Sequence, residues 1–125
     1  MNPAPGFKKY PRHKLSTQPS KARVQVKYKG EVIADSRDVI EMHETHEGSV
    51  LAPVVYYLPR KDVRMERLAR TGHTTHCPFK GDASYYSLQD GPENAVWSYE
   101  QPYDELLVIK ELLAFYPDKF EISAT

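Results

Sequence analysis

Arg23-Val24-Gln25-Val26-Lys27-Tyr28-Lys29-Gly30-Glu31-Val32-Ile33-Ala34-Asp35 is the stretch that decides the fold class. Val24, Val26 and Tyr28 alternate with polar neighbours, the period-two signature of a half-buried strand. Lys29-Gly30 reads as a tight turn into the second run, so the stretch predicts a β-hairpin. The same pattern recurs downstream in short units. Asp38 to Met42 predicts a strand, followed by a polar loop, His43-Glu44-Thr45-His46-Glu47-Gly48-Ser49. Val54-Val55-Tyr56-Tyr57-Leu58, bounded by Pro53 and Pro59, predicts a largely buried strand. Pro59 then opens a helical turn through Lys61 and Asp62. Arg64 to Leu68, Gly81 to Leu88 and Glu93 to Tyr99 predict further strands, the last two joined by the turn Gln89-Asp90-Gly91-Pro92. In the last third the period changes. Leu106, Ile109, Leu112 and Leu113 behind Pro102 and Asp104 predict one C-terminal helix that ends before Pro117, with Phe120-Glu121-Ile122 as a short closing strand. Short strands with a single helix predict a mainly β (α+β) single small domain, a folded antiparallel sheet or a partly open barrel.

With 125 residues the chain has room for one domain. No apolar run approaches the ~20 residues of a membrane helix, and the opening Met1-Asn2-Pro3-Ala4-Pro5-Gly6 has no apolar segment of a secretory signal, so a cytoplasmic protein is expected. The formal net charge of zero hides an asymmetry. Lys8, Lys9, Arg12, Lys14, Lys21 and Arg23 stand in the first 23 residues with no acid among them, and the remainder is acidic to the same extent. Residues 1–22 therefore read as a basic, proline-rich N-terminal arm on a β-rich domain of residues 23–125. Its prolines predict an irregular segment, dispensable for folding, that lies across the acidic body. Only Phe7 and Tyr10 interleave with its charges, which argues against nucleic acid as the partner. A homodimer, with the arm or the sheet docking a second chain, stays open as an alternative.

The familiar catalytic and nucleotide-binding signatures are missing. Six scattered glycines form neither a GxGxxG nor a phosphate loop, and there is no G-x-S-x-G elbow, H-E-x-x-H or EF-hand loop. His43-x-x-His46 and His73-x-x-His76-Cys77 supply zinc-type donors, but on a strand residues three apart point to opposite faces. The single cysteine excludes an internal disulfide and a multi-cysteine zinc site. No metal and no cofactor are expected.

Three clusters carry the chemistry that remains. His73 to Tyr86 concentrates a thiol, imidazoles, an amine, a carboxylate and phenols. Cys77 or Lys80 is the candidate nucleophile there, with Asp82 or His73 as base, because a thiolate needs a nearby cation and a nucleophile needs a base within reach. His73 lies four residues before Cys77, on the same face of a strand. Tyr56, Arg60 and Arg64 form the second cluster, in which arginine beside tyrosine suits a small anionic ligand held against an aromatic wall. The alternative for both arginines is pairing with Asp62, Glu66 or Asp82. The third cluster places Trp97 with Ala95 and Tyr99 on one strand face, as core or as a pocket wall. Tyr56, Arg60, Arg64, Tyr85 and Trp97 are the expected ligand-binding residues of one pocket for a small anionic or planar molecule. A binding or interaction module without chemistry is the competing expectation.

The order V-Y-Y-L-P-R-K-D-V-R-M, H-T-T-H-C-P-F-K-G-D-A-S-Y-Y, E-N-A-V-W-S-Y-E and L-A-F-Y-P-D-K resembles the family called domain of unknown function 427, also filed as nucleotidyltransferase-like, over about Val24 to Phe120. C-P-F-K-G-D-A-S-Y-Y is its most specific segment, and N-P-A-P-G-F is similar to one branch of bacterial members. The resemblance implies a folded-sheet, Mss4-like architecture and assigns no activity. The paired cysteines through which some such proteins bind zinc have no counterpart here. The loop from His43 to Ala52 is longer and more acidic than the family's usual connection. Nucleotidyl transfer through two cations requires paired strand carboxylates, and no D-x-D or D-x-E pair is present.

Overall fold

The computed structural model describes residues 2–50 and 53–125; the last two positions of the loop expected from His43 to Ala52 lie outside the described residues. Strands β8 (Gly81–Leu88), β9 (Val96–Tyr99) and β10 (Leu113–Phe115) form the middle of the molecule, with β7 (Leu68–Cys77) at one edge, in the antiparallel order β10-β9-β8-β7. Both faces of this sheet are covered. On one face Tyr86, Leu88, Val96, Leu113 and Phe115 pack against Val24, Val26, Ile33 and Ala34. Those four come from β2 (Val24–Tyr28) and β3 (Glu31–Ser36), which with β11 (Glu121–Ala124) make a second sheet in the order β11-β2-β3. On the other face Ala83, Tyr85, Tyr99 and Ala114 meet Met42 and Tyr57, with Leu15, Ile40 and Val55 alongside. That covering layer is a third sheet of β1 (His13–Pro19), β4 (Ile40–His46), β5 (Ser49–Val50) and β6 (Val55–Tyr57). The described residues thus form a single small domain, mainly β and antiparallel, and close no barrel among them. Each fully buried aliphatic side chain in the two cores contributes about 1.5–3 kcal/mol.

Several expectations need correction. The arm is not irregular throughout: His13–Pro19 forms a strand paired with β4 over its full length, His13 opposite His46 and Pro19 opposite Ile40. The polar loop expected from His43 is instead the second half of β4, because β1 satisfies its backbone groups on one side. Glu47 and Gly48, both at positive φ, make the two-residue turn into β5, and Lys29 and Gly30 do the same between β2 and β3. The strand expected from Arg64 to Leu68 does not form; a 3₁₀ turn over Met65–Arg67 leads into β7, which starts at Leu68. Pro59 does open a 3₁₀ turn, Arg60–Asp62. The C-terminal helix shrinks to 3₁₀ turns over Asp104–Ile109, broken at Leu106. Leu106 and Ile109 still bury, but Glu111 at φ 63° reverses the chain so that Leu113 enters β10 instead of a helical face.

Because β1 covers one flank of β4 and contributes Leu15 to the second core, deleting residues 1–20 should lower Tm by more than about 10 °C even at high ionic strength, as expected for a loss of several kcal/mol. Thermal denaturation followed by circular dichroism reads this directly, and an unchanged Tm would show that the strand adds no stability.

Candidate functional site

The two faces of β9 dictate where its side chains go. Tyr85 on β8 sits opposite Trp97, and Trp97 opposite Ala114 on β10, so all three share the face toward the β1-β4-β6 layer. Trp97 is only partly buried, because β9 and β10 are short and the sheet edge lies close to it. Its indole packs 4.5 Å from the Tyr116 ring and edge-on to Tyr57 at 6.5 Å. Around it opens a cleft of about 400 Å³ lined by Val54, Tyr56, Trp97, Tyr116 and the prolines Pro53 and Pro117, among others. None of the described residues that line it is charged. Burial, and then a hydrogen bond with Tyr85, raises the Tyr116 phenol to about 12, so it stays neutral at physiological pH. Tyr57 lies behind Trp97, wholly buried. Its hydroxyl has no hydrogen-bond partner among the described residues, and burial raises its pKa, offset in part by the approach of the Trp97 indole. Tyr99 is shifted the same way, by burial first and then by Tyr57 and Cys77.

The residues expected to form one pocket are distributed over several places. Tyr56 and Trp97 line the aromatic cleft. Tyr85 is core beneath it, its hydroxyl 3.0 Å from Thr75 Oγ1 and 3.5 Å from the Tyr116 hydroxyl. Asp82 lines a different, polar cleft with Arg70, Ser84, Glu100 and Tyr103; its carboxylate is exposed and pairs with His76 Nδ1 at 2.7 Å. His73 borders a third, shallow cleft and rests its ring on Tyr85 at 4.6 Å. Cys77 is half-buried and packs against the core cluster that holds Tyr57 and Tyr99. Lys80 is largely buried, 15% exposed at its side chain, with its amine 3.5 Å from Glu44. Each of the four candidate catalytic groups therefore has a different neighbourhood: Asp82 has His76, His73 has Tyr85, Lys80 has Glu44 and Cys77 has the phenolic core. Among the described residues no group of three or more His, Cys, Asp or Glu side chains is placed to hold a metal ion.

Arg60 lies on the opposite side of the sheet from Trp97. Its Nε donates to the Glu111 carbonyl at 2.7 Å, one terminal nitrogen to the Tyr86 hydroxyl at 3.1 Å, and the other to Ser98 Oγ at 3.2 Å and the Glu100 carboxylate at 3.5 Å. These bonds tie the turn after β6 to β8, β9 and the approach to β10. Arg64 is exposed and pairs with Glu66 at 3.1 Å and Glu31 at 3.5 Å. Of its anticipated partners, Glu66 is the one it takes, while Arg60 takes Glu100. Arg60→Met should therefore lower the unfolding free energy by about 2 kcal/mol, through lost charge-assisted bonds and a stranded Ser98, whereas Arg64→Met should change it by less than about 0.5 kcal/mol. Urea denaturation of the two variants makes the comparison, and equal effects would refute the distinction.

Sequence reasoning missed Tyr116, Pro117, Val54 and Pro53 as cleft residues. The signal was present in Leu113-Ala114-Phe115-Tyr116-Pro117, an apolar run closed by proline, but a helical reading of Leu112 and Leu113 hid the strand that brings Tyr116 beside Trp97.

The family model described as Domain of unknown function (DUF427) matches residues 16–125. The chain belongs to that family. No curated protein matches it. No helix in the described residues is long and apolar enough to cross a membrane.

Proposed function

We propose that this DUF427 member is a small-molecule-binding domain whose ligand is a planar, largely apolar molecule held in the Tyr56–Trp97–Tyr116 cleft. The observation that carries the reading is the cleft's lining: four aromatic side chains, two prolines and aliphatic side chains surround about 400 Å³, with no charged group among the described residues. Ring faces give a flat ligand stacking and edge contacts, and the phenol oxygens at Tyr56 and Tyr116 offer it neutral hydrogen bonds. The uncharged lining supports the planar ligand over the anionic one, since a desolvated anion would have no cation beside it.

Arg60, which the sequence offered as an anion clamp, spends its donors within the fold and is not among the residues that line this cleft. Cys77, Lys80, Asp82 and His73 line none of it. The function proposed is accordingly binding, with no reaction routed through those four residues.

Trp97 is the only tryptophan, so its fluorescence reports on the cleft without ambiguity. Titration with N-phenyl-1-naphthylamine, a neutral planar probe, should quench Trp97 saturably with a one-to-one end point. Tyr56→Ala and Val54→Phe, the first removing a wall and the second narrowing the mouth, should each weaken binding by about fivefold or more, a loss on the order of 1 kcal/mol. The anionic analogue 1-anilinonaphthalene-8-sulfonate should bind no more tightly than the neutral probe. Quenching that neither substitution alters, or a clear preference for the sulfonate, would contradict the proposal.

A further inference from the structure

The family match begins at residue 16, and the segment before it is seated on one defined surface of the body. At the centre of that surface is Phe79, in the turn between β7 and β8. Three rings from the N-terminal segment surround it: Phe7 at 5.0 Å, Tyr10 at 6.3 Å and His13, stacked at 4.1 Å. Gly6 bonds through its amide to the Pro78 carbonyl at 2.9 Å. It lies so close to the turn that a Cβ there would stand 2.7 Å from the Phe79 ring and 2.9 Å from the Pro78 oxygen. The rim is acidic. Asp104 accepts from the Asn2 amide at 2.7 Å, Glu105 from the Ala4 amide at 2.8 Å, and Glu47 from Arg12 at 2.8 Å. Residues 2–12 bring Lys8, Lys9 and Arg12 and no acid.

We propose that the Phe79 surface is a recognition site for a basic, aromatic peptide segment, and that the chain's own residues 2–12 occupy it as a displaceable strap. Three observations support displacement over permanent packing. Ala4 and Gly6 are buried against the body, but neither of the two core clusters contains a described residue before Leu15, so the strap's departure uncovers its own surface and leaves those clusters closed. Its single helical element, Pro5–Lys9, is too short to hold itself together. Its charged contact, Arg12 with Glu47, is exposed and correspondingly weak. Specificity comes from the glycine that lets the backbone lie against Phe79, from the ring that follows it, and from Arg12 paired with Glu47 on the acidic rim. β1 is not part of the strap, since its ladder with β4 is continuous.

The test uses the full chain with Gly6→Val, which should lift the strap by steric conflict with Phe79 and Pro78, and a fluorescently labelled synthetic peptide of residues 1–12. The peptide should bind the G6V chain and bind the unmodified chain about tenfold more weakly or worse, because an occupied site reduces apparent affinity by the fraction of time it is free. Adding Phe79→Ala to the G6V chain, or carrying G6V in the peptide, should abolish binding. In the unmodified chain, native-state hydrogen exchange should show the Gly6 amide opening at least about tenfold faster than the amides of β1. Absence of peptide binding to the G6V chain, or binding indifferent to Phe79→Ala, would overturn the recognition site. Equal binding to both chains, a G6V chain that cannot fold, or a Gly6 amide that exchanges together with β1, would overturn the displaceable strap.

Discussion

The rest of the structure follows from the burial of the β8-β9-β10 sheet on both faces. Val96, Ser98 and Tyr99 on β9 are buried, as are all three residues of β10, although successive side chains point to opposite sides. Such a sheet needs two covers. The β2-β3-β11 sheet supplies one through Val24, Val26 and Ile33, and the β1-β4-β6 layer supplies the other through Met42 and Tyr57. Adjacent residues Tyr57 and Leu58 divide between the two cores, which places β6 at the seam between layers. A polar group on a doubly buried strand must find a partner inside the protein. Ser98 is wholly buried, and Arg60 reaches in from the turn after β6 to meet it. The arginine that looked like a ligand clamp is thus a consequence of putting a serine on a buried face.

That same constraint separates what the sequence made legible from what it concealed. Strands with one wet face, such as β2 with its buried Val24 and Val26, announce themselves by alternation. Gly81 to Leu88 was readable from its bounding turns. Leu113-Ala114-Phe115 was not, because a strand buried on both sides shows no alternation and leucines three and four apart imitate a helix. The polar half of β4 was hidden for the opposite reason. His43 to His46 has no apolar pattern of its own and is a strand because β1 pairs with it. Nor does the opening basic segment announce β1, whose pairing partner lies more than twenty residues away in sequence.

The candidate site shows the same division. Tyr56 and Trp97 were legible as exposed-capable aromatics on predicted strands, and the fold brings them to one cleft. Their companions Tyr116 and Pro117 depended on recognising β10. Cys77, Lys80 and Asp82 looked like a constellation because they are close in sequence. A tight turn sends them apart: the thiol toward the phenolic core, the amine toward Glu44 and the carboxylate out to His76. Density of reactive residue types along a chain says little about convergence when a turn intervenes.

The central claim is that Trp97 forms the boundary between the doubly covered core and an open aromatic cleft that accepts a flat, uncharged molecule. Its most direct test is the indole N–H resonance of Trp97 in a nitrogen-15-labelled sample, a single assigned signal because the chain has one tryptophan. On titration with 1-naphthol, the account predicts a saturable shift of that resonance together with the amides of Tyr56 and Tyr116, while the Arg60 side-chain signals stay in place. An indole resonance that does not move while signals elsewhere on the protein titrate would contradict it.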